Sequence, residues 1–267
     1  MRLKELAKKC DAIVLPAYIN DSNDLFRIAH LQRLNSNFNH LFDKTIICIN
    51  YKSPEVKEQL LKKVEAIFND HFNNIDFIHN DINYENVRSL CEQEETLIQE
   101  CKSRGYNYIC KTMDHVIILE EALDIILDEN KDFYFTCGIG AQRCIEKNND
   151  VNHIYETEFF PQTNFYFLDV SKMDYIYNLK EVEQKHLEWE ADNSVCPNGY
   201  FICCEDQTAK MALRNNLNKQ DIIPEDKFKE LIQNVIDRRI ADPSYKNLST
   251  CGIIHLQYPE QPVYKLV

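Results

Sequence analysis

The sequence predicts an α/β fold: a mostly parallel sheet of Rossmann type, flanked by helices. Two observations carry this. Short apolar runs of strand length alternate four times with longer stretches of helical periodicity in the first half of the chain. The 267 residues, 44% of them hydrophobic, are enough to bury the core that such a layered fold needs.

The elements follow in order. Residues 11–15 (DAIVL) read as a short buried strand ended by Pro16. Residues 24–42 carry Leu25, Ile28, Leu31 and Leu34 at helical spacing. Residues 44–50 (KTIICIN) form the second strand. Residues 54–70 form an amphipathic helix that opens with Pro54, suited to a first turn. Residues 75–79 (IDFIH) are the third strand, and a helix over 84–103 ends at Gly105. Residues 106–110 (YNYIC) are the fourth strand, and 119–129 (LEEALDIILDE) the next helix. With only five glycines, the tight turns must rely on Asn, Asp and Pro.

The second half is less regular. Residues 133–137 (FYFTC), 164–168 (NFYFL), 200–204 (YFICC) and 252–256 (GIIHL) read as strands. Residues 180–191 and 228–240 read as helices. No repeat or low-complexity tract marks a linker.

Charge excludes some functions. The chain has 30 Lys and Arg against 43 Asp and Glu, a net charge of −13. So acidic a protein is a poor match for nucleic-acid phosphates, which call for clustered cations. No apolar run approaches the length of a membrane span. The opening MRLKELAKKC lacks a signal-peptide core, which predicts a cytoplasmic protein. The 11 cysteines are scattered, and Cys203 and Cys204 are adjacent, so reduced and packed thiols are expected rather than a disulfide framework. No CxxC spacing supports a zinc site from Cys196, Cys203, Cys204 and Cys251.

Three polar sites share one pattern. Asp114 with His115, Glu205 with Asp206, and His255 each lie at or beside the end of an apolar strand. In parallel α/β sheets, ligands bind beyond the carboxyl ends of the strands. Two carboxylate sites and an imidazole brought together there could hold a divalent ion and leave one carboxylate free as a base. Each also has a plain structural role open to it: Asp114 as a helix cap, Glu205 and Asp206 as acids favoured by a helix N-terminus, and His255 as a packed strand residue.

These stretches resemble nucleotide-sugar glycosyltransferases of the GT-A fold. "YNYICKTMDHVIIL" looks like their apolar strand, Asp-x-Asp motif and second apolar run. "CCEDQTAKMAL" looks like their acidic pair at a helix start, and "GIIHLQ" like their C-terminal metal-binding histidine. The resemblance implies a GT-A-like domain over 1–267, with a nucleotide-sugar-binding half (1–130) and an acceptor-binding half (131–267). It implies transfer from a nucleotide-diphosphate sugar, such as a UDP sugar, to a glycan or other hydroxyl acceptor. Asp206 would be the base of an inverting reaction, and Glu205 its partner at the acceptor. A divalent ion would be held by Asp114, His115 and His255, unless His115 instead hydrogen-bonds the ribose or diphosphate. Nucleotide-sugar contacts would come from Pro16, Ala17, Tyr18, Asn20, Asp81, Lys111, Asp114 and Arg143. The chain departs from the motif because Asp114 is the only acid between residues 113 and 116. A histidine in place of the second acid suits Mn²⁺ better than Mg²⁺.

Two rivals remain at this level. Nucleotidyl transfer onto a sugar phosphate uses a related fold, but would want a glycine-rich loop after the first strand, and "LPAYINDSND" has no glycine. A non-catalytic binding protein of the same fold would explain the missing second acid.

Overall fold

The computed structural model describes residues 1–80, 87–137, 161–184, 204–223, 248–250 and 253–255. The expected sheet is present. Helix α1 (Leu3–Lys9) leads into β1 (Ala12–Ile19), α2 (Asn23–Leu34) and α3 (Ser36–Asn39). Then come β2 (Thr45–Tyr51), α4 (Pro54–Asn69), β3 (Ile75–Asn80), α5 (Val87–Ser103) and β4 (Tyr108–Thr112). Beyond these lie β5 (Val116–Ile118), β6 (Phe133–Cys137), β7 (Pro161–Asp169), α6 (Cys204–Arg214), β8 (Lys219–Asp221), β9 (Leu248–Thr250) and β10 (Ile253–His255).

Seven strands form one sheet in the order β3-β2-β1-β4-β7-β6-β8, with β3, β2, β1 and β4 all parallel. Strand β7 runs antiparallel to both β4 and β6. A second sheet pairs β5, β10 and β9 antiparallel.

Strand β2 is buried along its whole length, as a strand covered by helices on both faces should be. On one face, Ile13, Leu15, Ile47 and Ile49 pack with Leu60, Val64 and Phe68 of α4 and with Ile28 of α2. On the other, Val14, Ile46 and Ile109 pack with Leu97, Ile98 and Cys101 of α5 and Met211 of α6. Helix α4 starts as expected: Pro54 occupies its first turn and the Ser53 hydroxyl accepts from the Val56 N–H. Helix α5 ends at Gly105, whose φ of 73° suits glycine. Asn74, Asn130 and Asn216 take left-handed conformations at other turns, the role expected of Asn in a glycine-poor chain.

Three expectations need correction. The first strand does not stop at Pro16 but runs to Ile19. The Ile13 N–H donates toward β2, to the Lys44 carbonyl, so period-two alternation turns the Pro16 nitrogen to the opposite side. There the pairing with β4 has already ended, at Val14, and no ladder bond is lost to the missing N–H. The helix expected over 24–42 breaks at Asn35. That side chain donates to the Val116 carbonyl (2.7 Å) and accepts from the Ile118 N–H (2.8 Å), tying the junction of α2 and α3 to β5. The helix expected over 119–129 is only a 3₁₀ turn, Glu120–Asp124. Beyond it the backbone pairs with the N-terminal residues: the Leu3 N–H donates to the Ile125 carbonyl and the Leu127 N–H to that of Met1.

Residues 179–184 are helical, as expected for the start of 180–191. The strand expected over 200–204 lies outside the described residues except for Cys204, which opens α6; the helix expected over 228–240 lies outside them entirely. Among the described residues, Cys10, Cys48, Cys91, Cys101 and Cys110 are free thiols. No described helix is long and apolar enough to cross a membrane.

Candidate functional site

The order β3-β2-β1-β4 reverses direction at one place: from β1 the chain winds outward to β2 and β3, then returns to lay β4 on the other side of β1. Such a reversal opens a crevice at the carboxyl ends of the two strands. Pairing of β1 with β4 stops at Val14 and Lys111, so the last residues of β1 and the turn after β4 flank that crevice.

Asp114 stands in the turn between β4 and β5, not at a helix start, so the capping role does not arise. Its side chain is only 6% exposed, yet it is a partner in three contacts. The Arg27 Nη1 and Nη2 both donate to Oδ2 at 3.2 Å, and the His115 Nδ1 lies 3.0 Å from Oδ1. Burial by itself would raise the Asp114 carboxyl; the Arg27 guanidinium and the His115 hydrogen bond outweigh it and hold the group at about 2. Asp114 is therefore a fixed negative charge at the crevice.

Arg27 belongs to α2, the helix that follows β1. Its Nε (3.3 Å) and Nη2 (3.0 Å) also donate to Oδ1 of Asp24. Asp24 is anchored in turn, with Oδ2 accepting from the Asn20 N–H at 2.7 Å and the Asp21 N–H at 3.4 Å. The loop after β1 and the turn after β4 are thus joined by Asp24, Arg27 and Asp114. Sequence reasoning missed Arg27 and Asp24. Their i,i+3 spacing is the only trace of the pair in the sequence, and that spacing is common on exposed helices.

The other candidates fall as follows. Pro16 and Ala17 are buried in β1, Tyr18 is half-buried there, and Asn20 is exposed in the loop beyond. Register aligns Tyr18 with Asn50 of β2 and Asn50 with Asn80 of β3, a polar row across the ends of three strands. Asn50 is fully buried, and among the described residues neither its amide nitrogen nor its oxygen has a hydrogen-bond partner. Asp81 and Arg143 lie outside the described residues. Glu205 and Asp206 occupy the first turn of α6, a helix that packs on β7. His255 ends β10, in register with Val116, so the strand pairing brings its backbone beside the Asp114–His115 turn.

Lys111 points to the α5 side of the sheet. Its ammonium is 3.1 Å from Glu94 Oε1 and donates to the Thr163 carbonyl. The Tyr166 and Tyr177 hydroxyls each donate to Glu94 at 2.6 Å, and Tyr177 also meets the Thr208 hydroxyl of α6 at 3.2 Å. Burial, then the nearby Glu94 charge, pushes both phenols far up. This network links β4, α5, β7 and α6 behind the crevice.

No cluster of three metal-ligating side chains forms among the described residues. The donor set at the crevice still suits a borderline divalent ion: one ionised carboxylate, an adjoining imidazole, and a second histidine position one strand away.

No protein family matches the sequence, and no curated protein matches it. Solved structures with a similar backbone course include galactosyltransferase LgtC in complex with donor and acceptor sugar analogs. Its TM-score is 0.49 and its identity 12%, over 93% of this chain and 87% of that one. Another is core-mannan synthase A from Aspergillus fumigatus in an Mn/GDP form, with TM-score 0.42, 10% identity, and 80% and 73% covered. A third is a nucleoside-diphosphate-sugar pyrophosphorylase from Vibrio cholerae, with TM-score 0.42, 7% identity, and 78% and 90% covered. At these distances the α/β architecture of this chain rests on its own strand order.

Proposed function

We propose that the chain transfers a sugar from a nucleotide-diphosphate sugar to a hydroxyl of a glycan or another acceptor. The observation that carries this reading is the buried, ionised Asp114 at the strand-order reversal between β1 and β4. The donor lies across the ends of β1, β2 and β4. Tyr18, Asn20 and the unpaired Asn50 amide face its nucleoside, because a buried amide with both polar atoms unmet suits the hydrogen-bonding edge of a base. Asp81 and Arg143 complete the donor contacts.

Asp114, His115 and His255 would hold a divalent ion, Mn²⁺ in preference to Mg²⁺. When bound, that ion supplies positive charge to the departing diphosphate. Asp206 takes the proton of the acceptor hydroxyl as its oxygen bonds to the anomeric carbon. The bond from that carbon to the diphosphate breaks on the opposite face, which inverts the configuration. Glu205 orients the acceptor.

A thermal-shift screen of nucleotide sugars, with and without Mn²⁺, tests the reading. A ligand at 100 times its dissociation constant adds about 2.7 kcal/mol of stability. Stabilisation by a sugar nucleotide, followed by release of the nucleoside diphosphate on adding acceptor, is the expected result. Pyrophosphate release from a nucleoside triphosphate and a sugar phosphate would reassign the chain to nucleotidyl transfer. No response to any sugar nucleotide would remove the donor site.

A further inference from the structure

The carboxylate that the proposed function assigns to a metal ion already has a cation. Arg27 places two donors on Asp114 Oδ2, while His115 meets Oδ1, so each oxygen already has a partner and Oδ2 has two. Arg27 is itself only 11% exposed. Its second carboxylate, Asp24, is held rigid by the backbone N–H groups of Asn20 and Asp21.

We propose that Arg27 is the resident counter-cation of Asp114, and that a divalent ion enters by displacing it onto Asp24. This rests on the reading of Asp114 as a metal ligand. A buried carboxylate must be paired or protonated, so the ion-free protein needs Arg27 where it is. A guanidinium and a divalent cation cannot both sit against one carboxylate oxygen without strong repulsion. The local charge favours exchange. Asp24 and Asp114 carry two negative charges against one on Arg27, leaving an excess that attracts a cation. Asp24 gives the released guanidinium somewhere to stay, because its Nε and Nη2 already bond there. Arg27 then remains beside the crevice as a positioning residue.

The test measures Mn²⁺ binding to the full chain, by electron paramagnetic resonance of the free ion and by calorimetry. No nucleotide sugar is present. The proteins are the parent, Arg27→Met, Arg27→Lys and Asp114→Asn. Apparent affinity scales with the fraction of molecules competent to bind. If the Arg27–Asp114 pair is closed in roughly 90–99% of molecules, its removal tightens Mn²⁺ binding about 10- to 100-fold. Arg27→Lys falls between Met and the parent, because it keeps the charge but loses the planar fork; it carries the comparison if Arg27→Met does not fold. Arg27→Met melts below the parent without the ion and recovers with Mn²⁺. Asp114→Asn binds none. Mn²⁺ affinity equal to or weaker than the parent's in both Arg27 variants overturns the displacement, as does absence of Mn²⁺ binding in all four proteins. Tighter Mn²⁺ binding in the Arg27 variants, with no sugar transfer by the parent, keeps the exchange and sinks the glycosyltransferase reading alone.

Discussion

The Lys111 ammonium lies 3.1 Å from the Glu94 carboxylate, and neither side chain exposes more than 5% of its surface. Removing one member of such a pair strands the other charge. Lys111→Met is expected to cost about 3–5 kcal/mol, the range for breaking buried pairs. The double variant Lys111→Met/Glu94→Gln should recover a large part of that, because the neutral amide oxygen can still accept from one tyrosine hydroxyl while its NH2 group donates to the oxygen of the other. Urea denaturation of both variants and of Glu94→Gln closes the cycle. Additive losses would show that the two groups do not couple.

Asn35 joins α2 and α3 to the second sheet through two buried hydrogen bonds. Asn35→Ala leaves the Val116 carbonyl and the Ile118 N–H without those partners, at about 1–3 kcal/mol for each unmet group. Hydrogen exchange should quicken at Ile118 more than in β1 or β2. Uniform quickening would mean that the small sheet opens only with the whole protein.

The depressed Asp114 group gives a pH dependence with a defined sign. Its folded value of about 2 lies below the ordinary carboxyl value of 3.8, so its contribution is complete above about pH 4. It is lost as pH falls from there through about 2. The shift corresponds to roughly 2 kcal/mol. Urea midpoints in chelator, compared between the parent and Asp114→Asn across that window, should converge at the acid end. Parallel curves would remove Asp114 from the acid response.

Asn50 separates structure from binding. Replacing a buried, unpaired amide by an apolar group of similar size relieves its desolvation, so Asn50→Leu is expected to raise the melting temperature. If the amide meets the nucleoside, the same variant loses nucleotide affinity by about tenfold or more, since a polar group on the ligand is left unmet. Titration with UMP, CMP, AMP and GMP reads this directly. Unchanged affinity for all four would leave Asn50 no role in binding.

The assignment of Asp206 as base predicts a split between turnover and binding. Asp206→Asn should lower kcat by about 10²–10⁴-fold with donor affinity little changed. Glu205→Gln should have the smaller effect. Near-parent turnover in Asp206→Asn with a large loss in Glu205→Gln would exchange the two roles.

The parallel half was legible because β1 to β4 and the helices between them each obey one period, and Pro54, Gly105 and the Asn turns punctuate them locally. Two of the three misread elements share a cause, a partner far along the chain, while Pro16 stays in β1 because its nitrogen faces the side where no ladder bond is needed. Asn35 breaks a helix to serve β5, and residues 125–127 leave a helical pattern to pair with the N-terminal residues. The site was legible as a strand end and a charge, since Asp114 interrupts two apolar runs. Arg27 was not, because an Asp–Arg pair at helical spacing looks the same whether it faces solvent or a carboxylate 87 residues away.

The pairing of β10 with β5 bears on the order in which the protein matures. Strands β1, β2 and β3 pair with neighbours joined by single crossovers and β4 returns to the free side of β1, whereas His255 reaches Val116 only across about half the chain. Contacts so distant in sequence form late, after the loop that closes them has lost its freedom. A nascent chain emerging from the ribosome can therefore settle the parallel half first, and the Asp114 turn waits, already charged and held by Arg27, until the strand carrying His255 has been made.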